Sequence, residues 1–237
     1  MENTPKTNDY MLPASILIAA VLISGSIFFV LGNKDTAGNP STDGQLAAVV
    51  DTENALKLGD RDVILGDPEA PATLIEYGDF QCPWCGKLFT DVEAPLRENY
   101  IQQNKVKMVY RNFAFLGPES FAAAEAAECA KDQSKFWVFH DALYEAETAD
   151  GIEHNGNLNR DLFVQIATDS ELDVKEFASC FDSGKYTDKI KNDSSQARLA
   201  GVNGTPALFL NGQQVGGFIA YSELSPIIDQ ILNLNTD

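Results

Sequence analysis

The strongest constraint in this chain is a pair of cysteines three residues apart, Cys82-Pro83-Trp84-Cys85, set between an apolar run and a helical pattern. Ala72–Tyr77 (ATLIEY) is short, β-branched and bounded by Pro71 and Gly78, which predicts a buried strand. Pro83 to about Asn99 reads as a helix, bent near Pro95. Residues three apart meet on the first turn of a helix, so the two Cα atoms fall within disulfide range, roughly 4.4–6.8 Å. Unpaired amides and the helix dipole stabilise an anion there, so Cys82 should titrate well below the free value of about 8.5. Cys85, one turn further in, should be the more buried, resolving thiol. Pro83 suits the first helical position, where its missing N–H costs nothing. Zinc would need four ligands. Cys129, Cys180, His140 and His154 have no such spacing, so no metal is expected.

Val106–Phe113 alternates as a second strand, making a parallel strand–helix–strand unit. Pro118–Ala200 holds no good strand. Its helical patterns cover Pro118–Gln133, Ser134–Thr148, Asn159–Thr168, Asp173–Phe181 and Lys185–Ala200, with Ser134, Asn159 and Asp173 at capping positions. Strand character resumes at Ala207–Leu210. Asn211-Gly212 is a hairpin signal, Val215–Phe218 supplies the return strand, and Tyr221–Leu234 is an amphipathic helix. The fold class is α/β, in the order βαβ, an inserted all-helical subdomain, then ββα.

A second feature precedes this domain. Met11–Leu31 is 21 residues without a charge, about 30 Å as a helix, which matches a hydrocarbon core. It reads as an uncleaved transmembrane anchor, with a cleaved signal segment or a core helix as alternatives. Residues 33–60, rich in turn formers, read as a linker. The expected organisation is a tail at 1–10, the anchor or signal segment at 11–32, the linker at 33–60, and three domain parts at 61–117, 118–200 and 201–237. Any such anchor puts the domain on the extracytoplasmic side of a single-pass protein in the cell membrane. The net charge of −18 argues against nucleic acid as a partner.

Glu76-Tyr77-Gly78-Asp79-Phe80-Gln81-Cys82-Pro83-Trp84-Cys85, followed much later by Gly201-Val202-Asn203-Gly204-Thr205-Pro206 before a strand, closely resembles the DsbA family of oxidoreductases with a thioredoxin-like fold. The resemblance runs from about Asp62 to Asn233. It implies a cis peptide at Thr205-Pro206, in a loop that packs on the cysteine pair and pairs with substrate backbone. It also implies that Glu76 is a buried acid beneath the disulfide, able to move protons during exchange. Trp84 reads as an exposed aromatic on the substrate surface. Asp79 and Gln81 read as ordinary loop polarity, His140 as a satisfied surface or core histidine, and the acids around 119–153 as solvated helix faces. Cys129 and Cys180 are either two buried thiols or, in an oxidising compartment, a pair. Some DsbA-like proteins carry a structural disulfide across the helical block, which favours Cys129–Cys180.

The function expected is a thiol:disulfide oxidoreductase that introduces disulfides into reduced exported proteins through Cys82 and Cys85. No cofactor of its own is expected, and the chain should be a monomer. The resemblance implies a quinone-linked membrane partner, of the DsbB or vitamin-K-epoxide-reductase (VKOR) type, to reoxidise it. The alternatives are a reductase or isomerase on the same scaffold and a non-catalytic binding or chaperone module.

Overall fold

The computed structural model describes residues 56–59, 62–149, 152 and 155–234. The apolar run Met11–Leu31 lies outside them, as does most of the segment read as a linker. Among the described residues no helix is long and apolar enough to cross a membrane.

Five strands form one mixed sheet. They are β1 (Val63–Leu65), β2 (Ala72–Gly78), β3 (Val106–Asn112), β4 (Ala207–Leu210) and β5 (Gln213–Gly216), in the order β1-β3-β2-β4-β5. β2 and β3 are parallel, with Ala72 opposite Val106 and Gly78 opposite Asn112; the other pairings are antiparallel. The edge strand β1 is not foreseen from sequence, because three residues are too few to show a period. The return strand begins at Gln213, two residues earlier than the apolar pattern indicates. The two-residue loop dictates this: Asn211 (φ 48°) and Gly212 (φ 80°) are both left-handed, so Gln213 sits opposite Leu210.

The helices are α1 (Pro83–Leu88), α2 (Ala94–Leu96), α3 (Pro118–Lys131), α4 (Phe136–Thr148), α5 (Arg160–Asp169), α6 (Val174–Asp182), α7 (Thr187–Leu199) and α8 (Tyr221–Leu234). Two π turns, Phe89–Glu93 and Arg97–Ile101, flank α2. Pro95 lies in α2 and has no N–H to give, so the helix passes it between wider turns on both sides.

Asn159 and Asp173 cap their helices as expected. Asn159 accepts from the amides of Asp161 and Leu162, and Asp173 from those of Lys175 and Glu176. Ser134 does not cap. It is left-handed (φ 60°) in the turn that closes α3, and α4 starts two residues later. Cys129 and Cys180 are joined by a disulfide that ties α3 to α6, with Cα atoms 5.9 Å apart.

Strand alternation assigns each residue of β2 to a face. Ala72 and Leu74 pack with Leu88, Val92 and Leu96 of the α1–α2 segment and with Leu224 and Ile228 of α8. Ile75 and Tyr77 face the other way, toward Ala197 of α7 and Phe209. Glu76 shares the face of Leu74 and is therefore carried under α1. The helical block closes on Phe80, Cys85 and Tyr110 through Ala127, Phe139 and Tyr144. Two of its acids are not solvated. Glu128 and Glu147 are buried, and Glu128 pairs with Lys189 at 2.8 Å.

Candidate active site

The turn after β2 sets the site. Cys82 has extended backbone (φ −80°, ψ 119°) and is the N-cap of α1, with Pro83 directly inside. Its amide donates to the Asp79 carbonyl (2.9 Å), and its carbonyl accepts from the Gly86 amide (3.0 Å). Both cysteines are present as thiols. Cys82 keeps 6% of its surface accessible and Cys85 none, so an incoming group reaches Cys82 first.

The two thiols are tuned in opposite directions. Cys82 is lowered from an ordinary 9.0 to about 6. Hydrogen bonding from the Cys85 thiol is the largest cause, and burial works against it. The Thr205 side chain and the amides of Cys85 and Trp84 add to the lowering. As a neutral thiol, Cys82 instead donates to the Thr205 carbonyl at 3.2 Å. Burial pushes Cys85 well up, helped by the bond it gives Cys82 and by the charge of Glu76.

Glu76 lies under this pair with no exposed surface, and neither carboxyl oxygen has a hydrogen-bond partner among the described residues. Burial raises it well above an ordinary carboxylate. The charges of Glu93 and Cys82 reinforce that rise, and Arg97 opposes it. Thr205-Pro206 is a cis peptide, and its loop leads into β4, which pairs with β2. A depression of about 320 Å³ runs along this loop past Gly204, Thr205 and Pro206. Trp84 is 55% exposed and meets Phe218 at 5.4 Å between ring centroids, so one rim of the site is aromatic.

Asp79 and Gln81 are buried, contrary to their reading as loop polarity. The Asp79 carboxylate accepts from the amides of Gln81 (3.0 Å), Phe115 (2.9 Å) and Leu116 (3.1 Å). Gln81 accepts from the amide and hydroxyl of Ser120 at the start of α3. They brace the cysteine turn against the β3–α3 connection, a tertiary role with no local sequence signal.

His140 is also fully buried, edge-on to Tyr110 (4.7 Å) and Tyr144 (4.9 Å), with Nδ1 bonded to Asp141 at 2.9 Å. Glu93, His140 and Asp141 converge, their ligating atoms lying within 4.8 Å of one another. Arg97 bonds both carboxylates, so a guanidinium already supplies the positive charge there.

A dithiol at a helix start, a cis-proline loop on the adjoining strand and a helical block between the sheet halves define a thioredoxin-type redox protein. Residues 59–230 match the family described as Thioredoxin. The probable disulfide bond formation protein D of Bacillus anthracis is 33% identical over 214 residues, 87% of this chain and 90% of that one. The crystal structure of alpha-DsbA1 from Wolbachia pipientis superposes with a TM-score of 0.69 at 27% identity, covering 77% of this chain and 96% of that one. Oxidised BdbD from Bacillus subtilis gives 0.67 at 24% identity over 73% and 93% of the two chains, a likeness of fold. The chain belongs to the thioredoxin family and, within it, to the DsbA-type thiol:disulfide oxidoreductases.

Proposed function

We propose that this protein is a thiol oxidase that transfers the Cys82–Cys85 disulfide to reduced exported proteins. The observation that carries this reading is the opposed tuning of the two thiols. A stabilised Cys82 thiolate favours the reduced form of the enzyme, and a stabilised reduced form makes a strong oxidant.

In the proposed sequence, a substrate thiolate attacks Cys82 Sγ, the accessible sulfur. The S–S bond breaks and its electron pair stays on Cys85, which takes a proton from the Glu76 carboxyl. The substrate, now disulfide-linked to Cys82, lies along Thr205-Pro206 with Trp84 at the rim. A second substrate thiolate attacks the substrate's own sulfur and expels Cys82 as a thiolate. At about 6 this is a good leaving group at neutral pH. The two electrons remain on Cys82 and Cys85 until a partner removes them. Cys82 and Cys85 are thus the catalytic residues, Pro83 and Trp84 shape the motif, and Glu76, Thr205 and Pro206 support it. The Cys129–Cys180 bridge stays closed as a structural element.

The same reading takes Met11–Leu31 as a single-pass anchor within 11–32, with 33–60 as tether. The catalytic domain is then 61–117 and 201–237 with 118–200 inserted, held outside the cell membrane. A quinone-linked membrane protein of the DsbB or VKOR type is its natural reoxidant, since tethering keeps both in one plane. Equilibration with glutathione tests the direction of transfer. A potential well above the roughly −270 mV of thioredoxin is expected, and a value near it makes the protein a reductase.

A further inference from the structure

The protein buries more charge under the redox pair than the proposed reaction uses. The π turn Phe89–Glu93 is the reason one of these charges points inward. In a regular helix Cys85 and Glu93, eight residues apart, would diverge by about 80° around the axis. The wider turn lowers the angle per residue and returns Glu93 toward the face of Cys85, where it is 1% exposed.

Glu93 is held firmly there. One oxygen bonds Arg97 at 2.6 Å, and the other is buried without a hydrogen-bond partner among the described residues. Arg97 in turn grips both oxygens of Asp141, at 2.5 and 2.7 Å. Asp141 also meets His140 Nδ1 and is 29% exposed, so this end of the array reaches solvent. The set contains two carboxylates and one guanidinium, which leaves a negative charge facing Glu76. The other groups facing Glu76 are the two thiols and the phenols of Tyr110 and Tyr144, which bond each other at 2.9 Å. Arg97 is the cation that opposes the rise of Glu76.

We propose that Glu93 is a positioning residue of the redox reaction: its carboxylate, turned inward by the π turn and clamped by Arg97, favours the acid form of Glu76 and so readies it to protonate Cys85. This rests on the role proposed for Glu76 above. The step balances as Cys85–S⁻ plus Glu76–COOH giving Cys85–SH and Glu76–COO⁻, with Glu76 regaining its proton from water. Removing the Glu93 charge leaves Arg97 as the nearby ion and lets Glu76 ionise at lower pH.

The test is the rate at which the oxidised protein is opened by dithiothreitol between pH 5 and 9, corrected for the thiolate fraction of the reagent. The wild-type rate should fall above a break set by Glu76. Glu76→Gln should abolish the break, and if the break persists, the role given to Glu76 is wrong. Glu93→Gln, which keeps an oxygen for Arg97, should move the break down by about one pH unit and slow the reaction about tenfold at pH values above the wild-type break, with little change at pH 5. Glu93→Asp should restore the wild-type position. A folded Glu93→Gln protein with an unmoved break, alongside a Glu76→Gln protein that has lost it, overturns the Glu93 inference alone. Carboxyl ¹³C NMR of the wild type needs no variant. The Glu76 carboxyl should titrate well above the ordinary carboxylate range, and titration within that range also overturns the inference.

Discussion

Lowering Cys82 to about 6 makes the stability of the reduced protein depend on pH in a calculable way. In the unfolded chain this thiol titrates near 9.0. A group depressed on folding contributes stability that is complete above its unfolded value and lost as pH falls through its folded value. At about 1.36 kcal/mol per pH unit the full contribution is about 4 kcal/mol above pH 9. It is about 3 kcal/mol at pH 8, about 1 at pH 7 and close to nothing at pH 5. Glu76 works with the opposite sign. Its raised value adds stability at low pH that disappears as pH rises through the folded value. Cys85, pushed well up, stays neutral in this window. Comparing the reduced wild type with reduced Cys82→Ser cancels most of the Glu76 effect, because both proteins retain that carboxyl. Urea unfolding in a reducing buffer at pH 5, 6, 7 and 8 reads the gap directly. The gap should widen in favour of the wild type by about 3 kcal/mol from pH 5 to pH 8. Parallel stability curves would refute the claim that the fold stabilises a Cys82 thiolate.

Other substitutions probe the surroundings. Replacing both Cys129 and Cys180 by Ser frees a loop with a separation of 51 residues and should cost about 4 kcal/mol, read by calorimetry as a Tm lower by about 8–16 °C. Asp79→Asn places an amide among three amide donors and should destabilise by about 1–3 kcal/mol in chemical unfolding. Gly78→Ala would set a Cβ 2.4 Å from the Tyr110 ring, which is fixed by Tyr144; a loss of about 1–3 kcal/mol and a changed near-ultraviolet circular dichroism spectrum are expected.

The parts legible in the sequence were those written in local chemistry. The strands at Ala72–Gly78 and Ala207–Leu210, the proline inside the first turn of α1 and the capping side chains of Asn159 and Asp173 each follow from a few neighbouring residues. The cysteine pair is legible from its spacing and the strand before it, whereas the Thr205-Pro206 loop is legible only through the resemblance of its motif to a family. What stayed hidden depends on distance along the chain. Asp79 answers amides 36 and 37 residues away, and Arg97 joins an acid on its own helix to one 44 residues later. Neither relation leaves a period or spacing to read. The π turn that draws Glu93 inward is similarly silent, since the same residues would make an acceptable solvent-facing turn of regular helix.

The position of β4 beside β2 also governs how the protein matures. Cys82 and the Thr205 carbonyl that it touches are 123 residues apart, with the whole helical block threaded between them. During synthesis the cysteine pair is therefore finished long before the loop that completes its pocket. Until β4 docks, Cys82 and Cys85 are two thiols among four, with only the helix terminus to set them apart from Cys129 and Cys180. A chain interrupted ahead of Ala207 therefore carries both cysteines of the pair and lacks the strand that holds the Thr205 carbonyl against Cys82.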